Sequence, residues 1–155
     1  MARAELIDVD RGWARAVRDI GAAAGKPNAH VNVGWPETAG QHVRAKMSVA
    51  QLAAIHEFGL GVPRRSSLHD TFQLNADRYA LALRQIAVGI AFGKVDLQRG
   101  LSLFGAMVKG DVMRRIAQGI PPPNAPSTIA RKGSSTPLIH TGQLRTSLDF
   151  EVRDA

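Results

Sequence analysis

The chain of 155 residues has no cysteine, so disulfides, thiolate metal sites and cysteine nucleophiles are all excluded. That composition fits a protein kept in a reducing cytoplasm. Aromatics are scarce, with two Trp, one Tyr and five Phe. They are too few and too scattered to interleave with basic residues as a stacking platform for single-stranded nucleic acid. Long hydrophobic runs are missing too. The most apolar stretch, YALALRQIAVGIAFG, is broken by Arg84 and Gln85, well short of the roughly 18–20 residues a membrane span needs. The opening MARAELIDVDRGW has early acidic residues and no apolar core of signal-peptide length. The expectation is a soluble, unexported protein with no membrane partner.

Dense blocks of one charge are also lacking. The net charge is +7, from 20 basic and 13 acidic residues, a balance that favours polyanions or an acidic protein partner. Yet the basic residues are scattered, in pairs such as Arg64-Arg65, Arg114-Arg115 and Arg131-Lys132. What is present is an ordinary globular composition, 45% apolar and 21% charged. The length suits a single domain over 1–155, burying about two-thirds of the surface its unfolded chain exposes.

Periodicity organises the chain. Leu6, Val9, Trp13, Val17, Ile20 and Ala24 recur at helical spacing and stop at Gly25-Lys26-Pro27. In HVNVGW, Val31, Val33 and Trp35 alternate with His30, Asn32 and Gly34, a strand pattern ended by Pro36. Residues 37–46 read as a loop with room for a short strand near Val43. Ser48 stands at an N-cap position for a short helix over Val49–Phe58 that ends at Gly59. Leu68 to Phe92 reads as one helix with Ser66 or Ser67 as its cap. Another helix follows Asp96, carrying Leu97, Leu101, Phe104, Val108 and Val112 on one stripe. Gly100, Gly105 and Gly110 interrupt it at about 1 kcal/mol each relative to alanine, and their five-residue spacing puts them on no common face.

Residues 119–137 are different. They hold five of the eight prolines, which lack donors and fix φ, so the segment reads as an extended Pro-rich arm or loop. Order returns with TGQLRTSL, a helical turn capped by Thr141, and LDFEV, a strand matching HVNVGW. The fold class expected is α+β: two or three major helices packed on a small antiparallel sheet, with the arm extended.

Candidate chemistry centres on AIHEFGL. A zincin helix needs a second His four residues after the first, but that position is Leu60, and Gly59 would end the helix first. His30, His42, His69 and His140 show no paired metal spacing. There is no Gly-x-Ser-x-Gly elbow, no phosphate-cradling Gly-Lys-Ser/Thr, and His140 and Thr141, being adjacent, point apart in extended chain. No catalytic residue, metal or cofactor is expected, and no enzyme activity. The structural role available to His56 and Glu57 is to bond backbone groups of the following loop at a helix end. There a protonated His would also be favoured by the dipole.

Two ordered blocks then resemble one known family. The first is Ile55, His56, Glu57, Phe58 and Gly59 running into a turn with Pro63, Arg65 and Ser66. The second is a Pro-rich arm, the step Ser127, Thr128, Ile129, Lys132, Gly133, and then Pro137, Leu138, Ile139, Thr141, Gly142 and Leu144. Together they resemble the virion-morphogenesis, or tail-completion, proteins of long-tailed bacteriophages and Mu-like prophages. The likeness covers most of residues 48–153, with one departure: His140 occupies a slot that usually looks like Asp in such proteins. The resemblance implies a structural virion protein, made in the host bacterial cytoplasm and located in the neck or tail. It would assemble as a six-fold ring of its own copies around the DNA channel, against a stopper, tail terminator or tail tube. The two motifs would supply interface, and the arm would lie on a neighbour. Arg64, Arg65, Arg114, Arg115, Arg131 and Lys132 are the candidate contacts to packaged DNA, touched transiently and without base readout, or to an acidic partner. The alternative reading is a basic nucleic-acid-binding accessory protein.

Overall fold

Val31 and Val33 alternate with polar neighbours and form β1 (His30–Gly34), which pairs antiparallel with β2 (Asp149–Arg153). The register sets Val31 opposite Val152 and Val33 opposite Phe150, the apolar pairing expected from the two strand patterns. Two strands alone are marginal in water, so this face must be covered, and the longest helix covers it. The computed structural model describes residues 22, 25, 26, 29–44 and 46–153. The helix expected over Leu6 to Ala24 falls outside the described residues apart from Ala22.

The described helices are α1 (Val49–Phe58), α2 (His69–Leu74), α3 (Ala76–Ala91), α4 (Leu97–Gln118), α5 (Pro126–Lys132) and α6 (Gln143–Thr146). With the two-stranded sheet they make an α+β fold. α4 is central. Phe104, Val108, Val112 and Ile116 pack with Tyr79 and Leu83 of α3 and with Leu148 ahead of β2, while Leu97 and Leu101 close on Ala29 and Val31. Tyr79 sits edge-on between Phe72 and Phe104, at ring centroids of 5.6 and 5.7 Å.

Two of the three glycines inside α4 are close-approach points. A Cβ on Gly105 would overlap the Phe150 ring and stand 3.0 Å from Val31 Cγ1, because the helix crosses the sheet there. A Cβ on Gly100 would lie 2.6 Å from Ile86 Cγ2, where α3 meets α4. One glycine serves the sheet and the other serves α3, so no common face is needed. Around Gly110 there is nothing within 4 Å. Gly110→Ala is therefore expected to stabilise by up to about 1 kcal/mol through helix propensity. Gly105→Ala should destabilise by about 1–3 kcal/mol through overpacking, less that same gain. Denaturant midpoints of the two variants should move in opposite directions.

Several boundaries differ from the sequence reading. The span Leu68 to Phe92 is two helices, broken at Asn75 (φ −111°, ψ 11°). The Asn75 amide donates to Thr71 O at 2.8 Å, a side chain competing for helix carbonyls as short polar residues do. Leu68, not Ser66 or Ser67, is the N-cap residue of α2 and gives no cap from its own side chain, although the Ser66 hydroxyl does accept from Asp70 N in the first turn at 3.3 Å. The arm is not extended throughout, because residues 126–132 are helical. Pro126 occupies the first turn, where its missing N–H costs nothing, and Gly133 closes the helix at φ 69°. Residues 37–46 hold a 3-10 turn at Glu37–Ala39 and an isolated bridge from Gln41 to Ser48, with no strand at Val43. Gly142 is the N-cap of α6, although the Thr141 hydroxyl does accept from Gln143 N at 3.3 Å. Among the described residues no helix is long and apolar enough to cross a membrane.

Candidate functional site

α1 begins with a reciprocal capping box: Ser48 accepts from Gln51 N, and the Gln51 side chain accepts from Ser48 N. It ends at Gly59 in the left-handed region (φ 71°, ψ 38°), where a Cβ would also meet Arg64 Cβ at 2.9 Å. The last carbonyls of a helix need partners, and the loop after Gly59 supplies them. Leu60 N donates to Ile55 O at 2.9 Å, Arg65 N to His56 O at 2.8 Å, and Arg64 Nε to Glu57 O at 3.1 Å. Phe58 stays largely exposed.

The Glu57 side chain turns inward and is 7% exposed. Its Oε1 accepts from the Ser66 hydroxyl and from His69 N at 2.9 Å. Oε2 accepts from Ser67 N at 2.8 Å, Leu68 N at 3.1 Å and the Ser67 hydroxyl at 3.4 Å. A carboxylate at the end of α1 thus caps the start of α2, meeting the orphan donors that Leu68 cannot serve. With its lone pairs occupied, the carboxylate is a structural tie. The expectation that it bonds the following loop holds for Glu57.

His56 is another matter. Its Nδ1 is buried without a hydrogen-bond partner. Burial, then the positive charges of Arg65 and Lys132, push its pKa below the ordinary histidine value. The helix dipole would favour a protonated imidazole here, but desolvation and the two cations work against it. Linkage gives the sign: with the folded pKa below 6.5, the unfolded chain binds more protons in mildly acid solution. This contribution to stability is present above about pH 6.5 and is lost as the pH falls below it. Thermal melts should show Tm falling from pH 7.5 toward pH 5.5, and His56→Gln should flatten that fall.

The structure brings the two sequence motifs together. Arg65, only 7% exposed, donates from Nε to Pro122 O at 2.9 Å and from its terminal nitrogen to Pro123 O at 3.2 Å. Asn124 closes the arm onto Ser135 O at 3.0 Å, and Lys132 Nζ reaches Thr136 O at 2.6 Å. Pro137 is buried. Leu138 has φ 61°, the one non-glycine with positive φ among the described residues, and such strain in an aliphatic residue needs support from its surroundings. Leu138 has it, packed among Val49, Ala53 and Leu144. Trp35 locks the same corner, donating from Nε1 to Leu144 O at 2.6 Å. Ile55 and Gly142 are half-buried, while Pro63 lies exposed on the loop after α1.

The candidate basic contacts separate into groups. Arg65 is buried, with its guanidinium donating to the arm's carbonyls. Arg64 and Arg115 pair with Asp70 at 3.5 and 3.1 Å. Arg114, largely exposed, pairs with Asp111 at 2.8 Å. Arg131 is exposed and Lys132 half-buried, and neither has a carboxylate within ion-pair distance among the described residues. His140, in the slot where the resemblance calls for Asp, lies 3.4 Å from Arg44.

Sequence reasoning missed one cluster. Asp111 is buried, accepting from the Tyr79 hydroxyl at 2.8 Å and from Arg114 at 2.8 Å, and pairing with Arg78. A lone acid among apolar residues of a long helix was the available signal. Among the described residues no three His, Asp or Glu side chains gather as a metal ion would require. No protein-family model, curated protein or solved structure matches the chain.

Proposed function

We propose that the protein is a structural subunit of a bacteriophage particle, acting in tail completion or head–tail joining. Its copies form a ring around the DNA channel at the neck, against a stopper, tail terminator or tail tube. The observation that carries the ring-forming part is the outer face of α3. Leu81, Val88 and Phe92 recur there at steps of seven and four, on the side opposite the buried Tyr79 and Leu83. All three are well exposed, Phe92 at 74%. Single exposed apolar residues are unremarkable, but three on one helix face, bordered by the exposed Arg84 and Gln85, suit a contact surface with an apolar centre and polar edge. The two ordered motifs supply the phage assignment by resemblance. The occupied lone pairs of Glu57 argue against a His-Glu catalytic pair at this corner.

Light scattering of the concentrated protein is expected to give a multi-subunit mass, and negative-stain microscopy to give rings. Replacing Leu81 and Val88 together by Glu should return it to monomer. Fold stability should move by no more than about 0.5 kcal/mol, as for surface changes generally. A wild-type monomer that also fails to bind neck or tail-tube proteins would remove the proposal.

A further inference from the structure

Six basic residues are matched locally: Arg64 and Arg115 share Asp70, Arg78 and Arg114 share Asp111, Lys109 meets Asp149, and Arg153 meets Glu151. Others, such as Arg84 and Arg99, stand exposed and apart along the helices. In one region basic groups without a carboxylate partner gather. Three segments distant in sequence converge on His140: the turn at 42–44, the end of α5, and the loop leading into α6. Arg44 stands 3.4 Å from His140 Nε2, and its own backbone N–H donates to His42 Nδ1 at 3.2 Å. Gln143 ties the turn in place, accepting from Val43 N and donating to Gln41 O, both at 3.0 Å. Desolvation first, and then the basic groups Arg44, Lys132, His42 and Arg131, hold the His140 pKa below the ordinary histidine value, so the charge of this face comes from Arg44, Arg131 and Lys132 and the His140 ring enters as a hydrogen-bonding group. Arg44, Arg131 and His140 are exposed, and among the described residues no carboxylate forms an ion pair with any of the five.

A concentration of like charge held together by the fold raises the protein's own electrostatic energy and needs an anion to offset it. Residues 41–44, 131–132 and 139–143 include no aromatic side chain, and Val43 is the one large apolar residue among them that is well exposed. Protein partners are usually held by buried aromatic or apolar hot spots, and these are missing here. Phosphates ask only for positioned cations. We infer that His42, Arg44, Arg131, Lys132 and His140 form the face by which the protein meets the phosphate backbone of duplex DNA, without reading its bases. The choice of duplex DNA as the polyanion rests on the neck reading; the face itself does not.

The test is anisotropy of a labelled mixed-sequence duplex, titrated with full-length protein over a series of salt concentrations. The double variant Arg44→Gln, Arg131→Gln changes two exposed residues. The double variant Arg99→Gln, Arg153→Gln removes equal charge from exposed sites on α4 and β2. The first should reduce the slope of log K against log salt by about two, at roughly 0.9 per phosphate contact, while the second leaves it near wild type. Equal losses in both variants would reduce the effect to net charge and overturn the assignment. So would polyglutamate displacing the duplex at equal charge, or a sequence-dependent footprint that survives physiological salt. Light scattering on the same variants separates the two ideas. Assembly lost or absent with the slope change intact counts against the ring alone, and rings with no slope change count against this face alone.

Discussion

Glu57→Ala is expected to cost about 3–5 kcal/mol, since it takes the acceptor from three backbone N–H groups, and the partly buried Leu68 N and His69 N fall at the low end of the about 1–3 kcal/mol that an unpaired buried group costs. Ser67 N, Leu68 N and His69 N lose their acceptor together, and the Ser66 hydroxyl loses its partner too. For a domain of this size the midpoint should drop by roughly 10 °C, at about 2–4 °C per kcal/mol. Glu57→Gln keeps the shape but turns an amide donor toward other donors, so it should fall between the two. The experiment also separates the structural tie from a His-Glu catalytic pair. A catalytic carboxylate can be removed with its fold intact, whereas this one should take the start of α2 with it. Faster amide exchange at residues 66–70 would locate the damage. An unchanged melt in Glu57→Ala would sink the account of this corner.

The same corner shows what was legible beforehand. Ser48, Gly59 and Asp96 announce helix ends by local chemistry, and each does so in the structure. The strands were legible because their period is two and their apolar residues pair across the register, Val31 with Val152 and Val33 with Phe150. The break at Asn75 was not legible, because an Asn in an apolar-periodic stretch carries no mark of whether its amide will turn back to a carbonyl. Nor was the role of Arg65 legible. Adjacent arginines look alike in sequence, yet Arg65 is buried against Pro122 and Pro123 while Arg64 remains at the surface. Which arginines meet a partner depends partly on which carboxylates folding brings to them: Asp70 reaches Arg115 and Asp111 reaches Arg78 from distant parts of the chain, whereas Arg114 lies one turn from Asp111 on the same helix. Gly105 is the same case for packing: only the crossing of α4 over Phe150 explains it.

Asp111 carries the other large effect. Its carboxylate lies beneath the surface between α3 and α4, where Tyr79 donates to it and Arg78 and Arg114 cover it from the solvent side. Asp111→Ala should cost about 2–4 kcal/mol. The buried phenol hydroxyl loses its acceptor, worth about 1–3 kcal/mol, and a small cavity adds to that. The two arginines are exposed enough to return to water, so they contribute little to the loss. Asp111→Asn should recover part of it by offering Tyr79 a carbonyl. Tyr79 is the only tyrosine in the chain, so its ionisation can be followed by ultraviolet absorbance without ambiguity. Burial first, and then the hydrogen bond to Asp111 and that residue's charge, raise its pKa above the ordinary 10.0. A raised pKa contributes stability that is present below about pH 10 and is lost as the pH climbs beyond it. In wild type the phenolate should therefore appear well above the usual pH. In Asp111→Asn it should appear at lower pH, because the negative charge that opposes it is gone. A phenolate that appears at the same pH in both proteins would mean that burial alone holds Tyr79 neutral and that Asp111 is there for its arginines.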